Sequence, residues 1–208
     1  MNIEYIPESH TYLVDGVITP SVTQIIHRMM PGMYNGVPAA VLKAAAGYGD
    51  RVHEAIEMLC DGKEPEYQDK SYEGMAIRRF QRLQNYRQME ITSWEQTVAY
   101  MDGDTPLFAG RYDLLGTVLG IPAIIDIKTT QKYNQAYLEV QLSMYKMAID
   151  QEMESAEIGT SVRSAYCLWL PKKHLGDLIE VKLRRPEELL PEIRKAVQEI
   201  NEEIQKSF

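Results

Sequence analysis

A chain of 208 residues with 45% hydrophobic and 25% charged side chains can bury one sizeable core, and this balance excludes a disordered or fibrous protein. Its formal charge of -8, from 22 Lys+Arg against 30 Asp+Glu, excludes coating nucleic acid by bulk charge, so a polyanion partner needs a local basic surface or a metal. No stretch approaches the roughly 18 apolar residues of a membrane span, the opening Met1-Asn2-Ile3-Glu4-Tyr5 lacks a signal-peptide pattern, and Cys60 and Cys167 show no C-x-x-C spacing; one cytoplasmic domain without a membrane partner is expected.

Alternation around Asp15-Gly16 predicts a small hairpin from Tyr12-Leu13-Val14 and Val17-Ile18. Thr19-Pro20-Ser21 then offers a hydroxyl N-cap for a short helix ending near Met30-Pro31-Gly32. Gly49, Val52, His53, Ile56, Leu59 and Cys60 share one face of a helix expected from Pro38 to Cys60, stopped by Asp61-Gly62. A second helix is expected from Ser71 to Met89. Lys70, Arg78, Arg79, Arg82 and Arg87 make this region locally basic, either to track phosphates or as a solvated face. Ile91 to Met101 reads as a strand carrying Glu95, bounded by Asp102-Gly103-Asp104. Leu107 to Val118 and Pro122 to Thr130 form a β-hairpin around Leu119-Gly120. A helix from Asn134 to Gln151 follows, with Leu138, Gln141, Leu142, Tyr145 and Ile149 on one stripe. Strands near Arg163 to Leu170 and Leu178 to Leu183 precede a helix that opens after Pro186. The order predicts an α/β or α+β protein with one central mixed β-sheet flanked by helices. The segments divide as 1–35 (hairpin and short helix), 38–183 (core) and 186–208 (C-terminal helix).

Centring the second hairpin on Leu119-Gly120 pairs Val118 with Ile121 and, by equal steps, sets Asp113 opposite Asp126. Alternation puts Asp126 and Lys128 on one polar face, with Ile125 and Ile127 on the other. Two like charges so placed destabilise a sheet unless compensated, and a divalent cation such as Mg²⁺ would compensate them. The alternative is a pair of solvated residues on an edge strand. His53, on an apolar stripe, is either a satisfied core histidine or a ligand. Gln141 and Tyr145, one helical turn apart, either brace a core turn or hydrogen-bond a site.

Together, Gly49-Asp50-Arg51-Val52-His53, Glu95, Gly110-Arg111-Tyr112-Asp113, Asp126-Ile127-Lys128 and Gln141-Leu142-Ser143-Met144-Tyr145 resemble the PD-(D/E)XK nuclease superfamily, in its RecB-like exonuclease branch of stand-alone phage and prophage type. The resemblance runs from about residue 10 to residue 150. It implies a restriction-endonuclease-like core in which His53, Asp113, Asp126 and the carbonyl of Ile127 hold Mg²⁺ or Mn²⁺. Lys128 would be the catalytic lysine, with Glu95 an additional acidic residue near the metal. Gln141 and Tyr145 would orient the lysine and contact DNA, and Ser21 resembles a residue that related exonucleases place near the DNA end. Arg78 and Arg82 are the remaining candidates for substrate contact. The four cysteines of iron–sulfur relatives are absent, so no cluster is expected, and there is no G-x-x-x-x-G-K-[ST] loop for an ATP-driven motor.

The expected activity is metal-dependent hydrolysis of phosphodiester bonds from DNA ends, on single strands or end-containing duplex, in recombination, repair or phage DNA processing. A separate recombinase, helicase or single-strand-binding protein would be the protein partner. The competing expectations are an inactive DNA-binding module of the same fold and a restriction-type endonuclease.

Overall fold

Turn dipeptides and N-cap residues set most element boundaries in the computed structural model, which describes residues 1–7, 11–32, 36, 38–68, 70–156 and 161–206; residues 8–10 and 33–35 of the expected N-terminal segment and 207–208 of the expected C-terminal helix lie outside these. The elements in chain order are β1 (Ile3–Ile6), β2 (Thr11–Val14), β3 (Val17–Thr19), α1 (Val22–Met29), α2 (Ala39–Cys60), α3 (Tyr72–Tyr86), β4 (Met89–Asp102), β5 (Thr105–Val118), β6 (Ile121–Lys128), α4 (Gln135–Ser155), β7 (Ser164–Trp169), β8 (Asp177–Glu180) and α5 (Pro186–Lys206). Ser21 caps α1 through a capping box with Gln24, and the Asn134 side chain caps α4. The stretch before the first hairpin forms a strand of its own, β1, which pairs antiparallel with β2.

The main sheet has the order β4-β5-β6-β7-β8. Among the described strands of this sheet only β6 and β7 pair in parallel, and α4 supplies the crossover that a parallel pair needs. Helices cover both faces. α1, α4 and α5 bury Ile25, Leu142 and Ile193 in one cluster, while α2 and α3 bury Val52, Ile56 and Phe80 in the other. β6 feeds both, sending Ile124 to the first and Ile125 and Ile127 to the second. It is therefore a central strand, which rules out the solvated edge strand. The face carrying Asp126 and Lys128 is not an open polar face either: it also carries Ile124 and lies beneath α4.

The β1-β2-β3 sheet packs on the outer half of the long β4–β5 hairpin, where Tyr12 and Val14 meet Ala99 and Ala109. Halfway along that hairpin the pleat changes sides. Trp94 and Leu114 pack with α2 and α3, whereas Val98 and Tyr112, of the same parity, pack with α4 and α5. An unbroken strand would keep each pair on one face. The change falls at Glu95 and Asp113. No helix among the described residues is long and apolar enough to cross a membrane.

Candidate active site

The Leu119-Gly120 turn, with φ of 52° and 77°, fixes the β5–β6 register at Val118 with Ile121 and carries it out to Leu114 with Ile125. The next step would oppose Asp113 and Asp126, and there the described pairing ends. In its place, the Asp113 side chain enters the ladder: Oδ2 accepts the Ile127 backbone N–H at 2.6 Å. On the other side of β5, Trp94 pairs with Leu114 and Gln96 with Tyr112, so the register brackets Glu95 against Asp113. Glu95 has φ of 49°, a left-handed conformation that is strained for a non-glycine residue inside a strand. Glu95, Asp113 and Asp126 thus form one row across three adjacent strands.

α2 brings His53 to this row. Its neighbours Val52 and Ile56 are fully buried and anchor the helix on the sheet, leaving the imidazole at the rim of the cluster. Nδ1 lies 3.7 Å from Glu95 Oε1 and 3.6 Å from Asp113 Oδ1, while Nε2 is 3.2 Å from the Ile127 carbonyl. One ligand atom from each of His53, Glu95 and Asp113 falls within 4.8 Å of the others. Burial lowers the His53 pKa, but Asp113, Glu95 and Asp126 outweigh it and push the imidazole up to about 9. A proton on His53 balances the row.

Asp126 is not one of the three residues of that cluster. It is 3% exposed, and its Oδ1 accepts from Lys128 Nζ at 3.0 Å. Oδ2 is closer to the ammonium, at 2.7 Å, but lacks the direction of a hydrogen bond and remains a buried acceptor without a donor. Lys128 also donates to Gln141 Oε1 at 3.3 Å and lies 5.7 Å from the Tyr137 ring centroid. Burial works against the Lys128 charge, yet Asp126 and Asp113 together hold its pKa above the ordinary range. Asp126 is pulled both ways, raised by burial and lowered by Lys128. The surroundings therefore enforce the ammonium charge more firmly than the carboxylate's.

His53, Glu95, Asp113, Lys128, Gln141, Tyr145 and Ser21 all line one open cleft of about 890 Å³. Burial raises the Tyr145 phenol well above its usual range, so it is a hydrogen-bond donor at neutral pH. Its ring lies against β5 because residue 110 is glycine; a Cβ there would sit 2.8 Å from Tyr145 Cε1. Ser21 is engaged locally, its Oγ accepting the Gln24 N–H at 3.1 Å. Arg78 and Arg82 are not among the residues lining the cleft. Arg82 donates to the Leu175 carbonyl at 3.3 Å and its neighbour Arg79 to Pro171 at 2.6 Å, so this helix braces the β7–β8 turn. Sequence reasoning assigned no role to Arg111, whose Nε lies 2.8 Å from Glu95 Oε2. The signal was the Gly-Arg-Tyr-Asp motif itself, in which the arginine carries the opposite charge to the row.

A search of curated proteins gives no match to the sequence. Among solved structures, the chain is similar to the protein designated SSO0001, with 13% identity, TM-score 0.49 and coverage of 88% of this chain and 75% of that one. It is also similar to LHK-Exo, solved in complex with dAMP, with 12% identity, TM-score 0.46 and coverage of 90% of each chain. The sequence profile of the PD-(D/E)XK nuclease superfamily matches residues 16–208, nearly the whole chain, with its mixed sheet, flanking helices and His–Glu–Asp cluster at the heart of the matched span. The chain belongs to the PD-(D/E)XK nuclease superfamily.

Proposed function

We propose that this protein is a metal-dependent deoxyribonuclease that removes nucleotides from DNA ends, in the manner of the RecB-like exonucleases. The observation that carries this reading is the divided acidic row: two carboxylates and an imidazole converge within 4.8 Å on one side, and a half-buried lysine stands on the other. The donor set suits Mg²⁺ or Mn²⁺. Carboxylate oxygens and an imidazole face one another, and Asp126 Oδ2 is a buried acceptor without a hydrogen-bond donor. His53, Asp113 and Glu95 would hold the ion, with Asp126 and the Ile127 carbonyl as further ligands. When bound, such an ion supplies positive charge at a phosphate oxygen and makes water nucleophilic at neutral pH.

The chain's own groups do the rest. The Lys128 ammonium, held by Asp126 and Gln141, offers a compact positive charge where the attacked phosphate becomes more negative. Tyr145 offers a phenolic donor to the same cleft, and Ser21 lies at its wall on the side of α1. Arg78 and Arg82 would meet DNA only where a substrate runs on past the cleft over α3. A single catalytic unit spanning residues 1–208, with DNA as its partner, is part of the same proposal.

The test incubates linear and closed circular DNA, single and double stranded and end-labelled, with wild type and Lys128→Ala in Mg²⁺, Mn²⁺ or EDTA. Metal-dependent loss of linear DNA alone, absent in the variant, is expected. Cleavage of closed circles would turn the reading to an endonuclease, and binding without cleavage in every metal would turn it to an inactive module.

A further inference from the structure

The row of site residues accounts for one side of β6, but the other side carries a feature that the metal cluster leaves unused. Trp169, the last residue of β7, is the register partner of Lys128. Its indole N–H donates to the Thr130 carbonyl at 2.8 Å, and Leu170 N–H donates to the Lys128 carbonyl at 2.7 Å. These bonds tie the loop after β6 to the turn between β7 and β8. The Tyr133 ring packs edge-on to Trp169 with centroids 5.5 Å apart, and the His174 ring stacks on it at 5.7 Å and 26°. His174 is exposed, as is Leu175 beside it.

Charge singles out the same two segments. Residues 129–133 and 170–176 contain Lys132, Lys172 and Lys173 and no Asp or Glu, in a chain whose formal charge is -8. Lys172 Nζ lies 4.3 Å from the Tyr48 ring centroid and 5.5 Å from that of Tyr72, so part of this charge is held in place by aromatic rings. Asp177, the register partner of Trp169 on β8, is held by Arg87 at 3.5 Å. A stacked aromatic pair on lysine-bearing segments matches what a single strand of nucleic acid presents: flat apolar bases on an anionic backbone.

We infer that Trp169 and His174 form a base-stacking subsite for an unpaired DNA strand, with His174 presenting the outer ring and Trp169 and Tyr133 backing it. The subsite lies beside Lys128 on the flank of β6 away from His53, Glu95 and Asp113, so a strand crossing the end of β6 would place a phosphate at the row and an adjacent base on the stack. This rests on the nuclease reading above and adds that the enzyme engages single-stranded ends through their bases.

The experiment measures binding in EDTA, which removes cleavage, for a labelled oligothymidylate and for an abasic oligomer of equal length and charge. Wild type is expected to bind the base-bearing strand about tenfold more tightly. His174→Ala, in an exposed turn that does not threaten folding, should lose most of this preference, and Trp169→Leu all of it, while Trp169→Tyr retains it. Equal binding of both strands by wild type, or an undiminished preference in His174→Ala, overturns the subsite. A parallel assay with linear DNA in Mg²⁺ separates the two readings: cleavage without base preference removes the subsite and leaves the nuclease, whereas neither binding nor cleavage removes both.

Discussion

The two ends of the acidic row meet the same electrostatic problem in different ways. At one end Asp126 is sealed at 3% exposure and neutralised by Lys128, two residues along the same strand and therefore on the same face. At the other, Glu95 and Asp113 open onto the cleft and are balanced by His53, whose Nδ1 stands 3.6–3.7 Å from both. Lys128 cannot readily leave its carboxylate. The proton on His53 can be exchanged for a metal. One end is thus a permanent cation site and the other a replaceable one, which is the division that metal-assisted phosphate chemistry calls for.

Removing the permanent cation is expected to have the largest effect. Lys128→Ala should lower cleavage by about 10³-fold or more and, by leaving Asp126 buried without its partner, should destabilise the fold by about 3 kcal/mol. Single-turnover cleavage and denaturant unfolding measure the two effects, and near-normal cleavage would erase the distinction between the ends.

At the replaceable end, His53→Ala should raise the metal concentration needed for half-maximal cleavage by about tenfold to 100-fold, with activity returning in excess Mn²⁺. A variant that no metal concentration restores would place His53 in the chemistry and not in metal binding. Metal titrations against pH sharpen the point. Because the metal binds neutral imidazole and His53 titrates at about 9 in the metal-free protein, affinity should climb about tenfold per pH unit up to that value and then level off. The stability of the metal-free protein runs the other way. A raised pKa favours the folded state below the unfolded value of 6.5, and that contribution fades as pH rises through about 9. A flat metal affinity across this window would mean that His53 carries no exchangeable proton.

The smallest effect concerns backbone strain. Glu95→Gly should stabilise the metal-free protein by about 1 kcal/mol, since glycine accepts the left-handed conformation at no steric cost and one repelling carboxylate is gone. Metal affinity should fall in the same variant. Unchanged stability would show that the strain at Glu95 is relieved by its contact with Arg111.

Local chemistry was legible wherever a residue acts on its near neighbours. Asp15-Gly16 and Leu119-Gly120 take left-handed turns that set their hairpins, and Ser21 caps the helix that follows it. The equal-step count from Val118 and Ile121 holds as far as Leu114 with Ile125, and the pair it set at the next step, Asp113 opposite Asp126, lies just beyond the described pairing. What alternation could not convey is that the pleat changes sides at Glu95 and Asp113, because a single residue in an unusual conformation does this without any change in hydrophobic pattern. Nor could it show that α4 covers the face of Asp126 and Lys128, since a strand buried on both sides and a strand with one polar face differ here by little more than Ile124.

By itself, then, the sequence determined the elements, the central hairpin register and the set of residue types able to do metal chemistry, because each depends on interactions spanning a few residues or one tight turn. Only the tertiary structure decided how those residues are grouped. It set Glu95 and Asp113 against His53, gave Asp126 to Lys128, brought Arg111 to the row and turned Arg79 and Arg82 to the β7–β8 turn. Those choices depend on which faces of α2, α3 and α4 the sheet buries, and that follows from packing between segments far apart in the chain.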